Sequence, residues 1–166
     1  MNLSGGEGPG AGQSESAGWC DVVPTHVRNS RVLGVEADPL RGTETILLVE
    51  DEAFVREVAR EVLKAAGYRV LTAQSAAEAS CVYDRCSGGI DLLLSDIVLP
   101  GEDGRSLANR LSSQNPDLQV LMVTGYAMQP GQSRPGRKDE EYLPKPFSSA
   151  ILLRKVRQVL DGRKRD

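Results

Sequence analysis

An apolar run that stops abruptly on a carboxylate constrains this chain more than any other feature. Leu92-Leu93-Leu94 leads into Ser95 and Asp96, and after Ile97-Val98-Leu99 comes Pro100-Gly101. Apolar residues on both sides of the run predict a strand buried on both faces, as in a parallel sheet. The Pro-Gly pair predicts a turn directly behind it. A second run, Ile46-Leu47-Leu48-Val49, ends on Glu50-Asp51 in the same way. Open α/β sheets bind ligands at the carboxyl ends of their strands. Carboxylates gathered there repel one another and call for a cation or a proton.

The surrounding pattern alternates strand and helix. Strands are expected at 45–50, 68–73, 91–95, 118–123 and 141–143. Helices are expected at 53–66, from Ser75 to about Arg85, from Asp103 or Gly104 to Ser113, and at 148–160. In the first helix Phe54, Val58, Val62 and Ala65 recur at helical spacing, and Gly67 suits its stop. Ser75 with Glu78 reads as a capping box. Such alternation implies right-handed crossovers and a five-stranded parallel sheet with helices on both faces, a three-layer α/β/α architecture. A helix is also due between the fourth and fifth strands. That stretch, 127–140, instead holds Pro130, Gly131, Pro135, Gly136 and a charge run. Interior proline costs about 3 kcal/mol in a helix, so a weak or irregular fourth element is expected.

Residues 1–18 are rich in Gly, Ser, Ala and Glu, and too apolar-poor to offset the entropy of ordering. The reading is a disordered or loosely docked tail over 1–42, a folded domain over 43–162, and a short basic tail over 163–166. No output domain is expected after the last helix. Gly6 to Ala11 loosely fits a dinucleotide fingerprint, but no strand precedes it and no helix follows. His26, the single histidine, reads as an exposed loop residue. Net charge is −3, so nothing global points to nucleic acid. No apolar run approaches a membrane span. Cys20, Cys81 and Cys86 form no CxxC pair and read as free thiols of a cytoplasmic protein.

Four expected strand ends carry polar groups: Glu50-Asp51, Asp96, Thr124, and Lys145 followed by Pro146. Mg²⁺ prefers oxygen ligands and keeps several waters, so a few carboxylates plus a phosphate oxygen suit it. Lys145 and the Thr124 hydroxyl add donors for an anion. The set describes a site for metal and phosphoryl together, with Asp96 as carboxylate nucleophile.

From about Glu44 to Leu160 the chain resembles a receiver domain of bacterial two-component response regulators. The matching pieces are Leu48-Val49-Glu50-Asp51-Glu52, Leu94 to Gly101, Val123-Thr124-Gly125-Tyr126 and Leu143-Pro144-Lys145-Pro146-Phe147. The wording resembles receivers that follow sensor kinases in hybrid chains rather than those fused to DNA-binding domains. The resemblance implies the flavodoxin-like strand order 2-1-3-4-5. It implies that Asp96 accepts a phosphoryl group from a histidine of a kinase or phosphotransfer protein. It implies Mg²⁺ held by Asp51, Asp96 and the Val98 carbonyl, with Glu50 acting through water. Thr124 and Lys145 then hold phosphoryl oxygens, and Tyr142 is the aromatic that follows Thr124 as a switch. The Lys145–Pro146 bond is expected to be cis. Val98 and Tyr126 are expected to flank the phosphoryl group and slow its hydrolysis. Arg154, Lys155 and Arg157 of the last helix are candidate partner contacts on the switch face, alongside Tyr142. A stand-alone receiver, monomeric or weakly dimerising when phosphorylated, is expected to signal through protein contacts without nucleic acid or membrane.

Three rivals remain. A haloacid-dehalogenase-type phosphatase normally needs a second Asp where Val98 stands, and valine cannot act as a general acid. A Walker nucleotidase needs GxxxxGK[ST], which is missing. A phosphate-independent interaction module with the same fold is the alternative that the set of Asp51, Asp96, Thr124 and Lys145 argues against. By this reading the protein is no conventional enzyme, only a receiver that catalyses its own phosphorylation and dephosphorylation.

Overall fold

The computed structural model describes residues 38–86, 89–125 and 141–162. Among them the elements run β1 (Thr45–Val49), α1 (Ala53–Ala65), β2 (Arg69–Ala73), α2 (Ala76–Arg85), β3 (Leu92–Asp96), α3 (Gly104–Gln114), β4 (Gln119–Thr124), β5 (Glu141–Pro144) and α4 (Ser149–Gly162). The boundaries fall within two residues of those expected. All five strands pair in parallel in the order β2-β1-β3-β4-β5. This is the flavodoxin-like order, with β1 and β3 adjacent at the sheet's centre. Calls on 1–37, including Trp19, Cys20, His26 and the Gly6 to Ala11 stretch, lie outside the described residues. So do those on Tyr126, the weak element at 127–140 and the tail at 163–166.

Alternation along the strands divides the core in two. Ile46, Leu48, Leu92, Leu94, Leu121 and Val123 face α1 and α4, where Ala59, Leu63, Leu152 and Val156 meet them. Leu47, Val49, Leu93, Val120 and Met122 face α2 and α3, against Ala79, Leu107 and Leu111. Every residue of β1 and β3 is buried. Each such leucine contributes roughly 1.5–3 kcal/mol relative to exposure. That burial makes the strand ends rigid platforms for polar groups.

Local signals explain the helix ends. Ser75 Oγ accepts the Glu78 amide at 3.2 Å, capping α2. The Glu78 carboxylate reaches back to the Gln74 amide at 2.9 Å, one residue before the position of a reciprocal capping box. Asp103 caps α3 through the Arg105 amide. After α1, Gly67 sits at φ +97°, a left-handed position that glycine adopts without a Cβ penalty.

The structure decides which stripe of α1 faces the sheet and which residue stands at its start. Its inward residues are Ala59 and Leu63, while Phe54 is 76% exposed and Val58 is exposed too. The stripe through Phe54 and Val58 is rotated away from the sheet, and α1 packs over β1 and β2 through Ala59 and Leu63. Asp51 does not cap this helix: Glu52 holds the N-cap position, without a side-chain cap bond. Before β1, residues 40–42 hydrogen-bond to the fold. Tyr68 Oη donates to the Leu40 carbonyl at 3.2 Å, and the Gly42 amide donates to the Ala66 carbonyl at 3.1 Å.

Candidate functional site

The register brings the acidic strand ends together. Val49 pairs with Ser95, so Glu50 and Asp96 emerge side by side from the two central strands. Both are buried, at 4% and 8% exposure. Lys145 reaches them from the end of β5. Its Nζ donates to Asp96 Oδ2 at 2.6 Å and to Glu50 Oε2 at 2.8 Å. The Lys145 amide donates to the Thr124 carbonyl at 2.7 Å, which fixes the lysine's backbone to the end of β4. The Lys145–Pro146 bond is cis, as expected.

Burial first pushes the Glu50 carboxyl above its ordinary range. The Lys145 hydrogen bond and charge offset part of this, and the charge of Asp96 adds to it. Burial also works to lower the Lys145 ammonium. Its hydrogen bonds to Asp96 and Glu50 outweigh that and leave its pKa raised. The cluster is therefore two buried carboxyl groups bridged by one firmly protonated amine. The other Asp96 oxygen, Oδ1, accepts the Val98 amide at 2.9 Å. Val98 itself is 69% exposed at the mouth of the site. Thr124 is buried at the end of β4, on the sheet face that carries Met122.

Asp51 lies in the exposed loop after β1. Among the described residues no three acidic, histidine or cysteine side chains form a preassembled metal cage. The donors are nonetheless all oxygen: the carboxyl groups of Glu50, Asp51 and Asp96, and nearby backbone carbonyls. That set fits a hard cation that keeps most of its water.

Three residues that the sequence reading passed over shape this site. Arg56 Nη1 donates to the Glu50 carbonyl at 2.6 Å and to the Asp51 carbonyl at 3.2 Å, pinning the acidic loop to α1. Ser95 Oγ donates to the Asp96 carbonyl at 2.9 Å. Gly104 packs so tightly that a Cβ there would lie 2.1 Å from the Asp96 carbonyl oxygen. An arginine five or six residues from the carbonyls it binds, or a glycine at a helix start, carries no distinctive local signal. Arg157, expected on a partner face, is instead engaged with Glu44 and Asp161 beside the amino end of β1. Lys155 pairs with Glu141 of β5 at 2.6 Å.

The description of a response regulator receiver domain matches residues 46–157. The chain belongs to the response regulator receiver family. Its relatives place the likeness in two settings. The receiver is 34% identical over 142 residues to the sensor kinase CckA of Brucella abortus, covering 85% of this chain and 15% of that protein. It is 35% identical over 119 residues to the response regulator receiver protein CpdR of the same organism, covering 69% of this chain and 95% of that protein. The receiver thus spans only a small part of CckA and nearly all of CpdR. Among solved structures, the receiver domain of the hybrid histidine kinase CckA superposes with a TM-score of 0.61 at 36% identity, covering 70% of this chain and 98% of that one. A response regulator receiver protein from Sinorhizobium medicae gives 0.65 at 32%, covering 73% and 97%. These likenesses agree with the expected family and fold. None of the described helices is long and apolar enough to cross a membrane.

Proposed function

We propose that this receiver is a phosphoacceptor of a two-component phosphorelay, in which Asp96 takes a phosphoryl group from a histidine of a kinase or phosphotransfer protein. The observation that carries the reading is the Lys145 ammonium bonded to both Glu50 and Asp96 at the carboxyl edge of the sheet. An Asp96 oxygen attacks phosphorus, the P–N bond to the imidazole breaks, and its electron pair returns to the ring nitrogen. Lys145 balances the charge that the phosphoryl oxygens bring, and the Thr124 hydroxyl donates to another of them. Asp51, Asp96, the Val98 carbonyl and, through water, Glu50 would hold Mg²⁺. When bound, the ion supplies positive charge that stabilises the transferring phosphoryl group. Val98, exposed beside Asp96, hinders an attacking water and prolongs the phosphorylated state. Tyr142 responds to Thr124 and carries the signal to a protein partner.

A groove of 280 Å³ supports a protein donor. It is lined by Phe54, Val58, Val62, Phe147 and Leu152 and reaches Lys145 and Pro146. Apolar surface running up to the reacting groups suits a helical partner that presents a histidine. The likeness to CpdR, 35% identical over 95% of that protein's length, supports a receiver that signals through protein contacts. The phosphate-independent module stays the alternative. Mass spectrometry after incubation with acetyl phosphate and Mg²⁺ decides between them. One phosphoryl adduct is expected on wild type and none on Asp96→Asn. An unmodified wild type, or an equal adduct on the variant, would refute the reading.

A further inference from the structure

One arginine joins two parts of the proposed site. The first turn of α3 is fixed to the phosphoacceptor strand: the Gly104 amide donates to the Ile97 carbonyl at 2.8 Å, and the glycine lies against the Asp96 carbonyl. Arg105 is the next residue, and its amide is held by Asp103 Oδ1 at 2.8 Å. Its guanidinium carbon lies 5.7 Å from the centroid of the Tyr142 ring, within cation–π range. Tyr142 is on β5, opposite Met122 in register and packed on the α2–α3 side of the core. It stands three residues before Lys145. The bridge therefore runs from the Asp96 end of α3, across β4, to the strand that carries the site lysine.

The guanidinium is not placed there by a hydrogen bond from its Nε, which is buried without an acceptor. A buried donor left unpaired is costly, and the contact that the structure places beside the group is the Tyr142 ring. The ring face is the attraction on hand, and it binds a cation better as water is removed.

We propose that Arg105 is a positioning residue for Tyr142. Its charge holds the ring in the half-buried place while Asp96 is unmodified, and sets the bias that phosphorylation has to overcome. This rests on the reading of Asp96 as acceptor and Tyr142 as the moving aromatic. A neutral side chain at 105 lowers the bias and lets the displaced ring become populated without phosphate.

Fluorine NMR of the full chain labelled with 3-fluorotyrosine tests this, with the Tyr142 signal assigned by Tyr142→Phe and beryllofluoride with Mg²⁺ as phosphate mimic. Arg105→Met keeps the unbranched stem and removes the charge; Arg105→Lys keeps the charge. Without the mimic, Arg105→Met is expected to move the Tyr142 signal towards its wild-type position with beryllofluoride. Arg105→Lys is expected to leave it near wild type, and the Tyr68 and Tyr83 signals should stay in place in both. An unmoved Tyr142 signal in Arg105→Met overturns the proposal, as does equal displacement by Met and Lys, which would make the effect one of packing. Failure of the underlying reading looks different: wild-type Tyr142 would ignore beryllofluoride, or Asp96→Asn would still respond to it.

Discussion

Gly104 shows how one missing methyl group can govern a reacting group. Its place requires no unusual φ; it requires space, because a Cβ would lie 2.1 Å from the Asp96 carbonyl oxygen and 2.9 Å from Ser95 Oγ. Backbone on one side and a buried hydroxyl on the other leave little to yield. Gly104→Ala should therefore push α3 or the end of β3 aside, costing about 1–3 kcal/mol as overpacking does. Asp96 would shift relative to Lys145, and phosphotransfer depends on that alignment. Chemical denaturation should show the loss, and acetyl phosphate uptake should slow at temperatures where the variant is still folded. Wild-type stability and rate together would show that the close packing is immaterial.

At the scale of elements, α1 does two separate tasks with adjacent stripes. Ala59 and Leu63 hold it to the sheet, and Arg56 ties it to the carbonyls of the acidic loop. Phe54 and Val58 face outward and line the groove that runs to Lys145 and Pro146. An exposed aromatic beside a polar site is costly to solvate, and its burial by a partner is favourable. Phe54→Asp should then leave stability and acetyl phosphate uptake near wild type, because the side chain touches neither the core nor Asp96. Phosphotransfer from a phosphohistidine protein should fall at least tenfold, equivalent to about 1.4 kcal/mol. Equal loss with both donors would locate the defect in the chemistry instead of the docking.

At the scale of the whole molecule, the edge opposite the site is closed by charge. Arg157 of α4 binds Glu44 with both terminal nitrogens, at 2.8 and 3.2 Å, beneath Tyr68 and Gly42. Burial works to raise the Glu44 carboxyl, but the Arg157 hydrogen bond and charge prevail and hold it below its ordinary value of 4.5. A carboxyl whose folded pKa is depressed stabilises the fold above its unfolded pKa, and that stability is lost as pH falls through the folded value. Glu44→Gln should cost about 1 kcal/mol at pH 7, discounted for partial exposure. The gap to wild type should close as pH drops from 4.5 downwards. Glu50, whose pKa is raised, favours the fold at low pH and loses that contribution as pH rises through its folded value, but it is common to both proteins and cancels in the difference. Urea titrations of the two proteins between pH 7 and pH 3 check this; a gap that ignores pH would remove the Glu44–Arg157 pair as its source.

The sequence by itself determined the order of the elements and the chemistry at their ends. Leu92 to Asp96 and Ile46 to Asp51 read as buried strands ending on acids because a strand's burial is written in consecutive residues. Parallel pairing follows from the helices between them. Asp96, Glu50 and Lys145 were legible as one group because all lie at carboxyl ends of one sheet. Only the tertiary structure decided which helical stripe faces inward. The stripe through Phe54 and Val58 and the neighbouring set through Ala59 and Leu63 have the same period, and the choice depends on how α1 seats on β1 and β2. It likewise decided that Arg157 closes the far edge with Glu44, 113 residues away, while Arg105 reaches Tyr142 from the site side. Periodicity records that a residue is apolar or charged at a given angle. It holds no record of the distant side chain that the fold brings opposite, and that partner sets each of these roles.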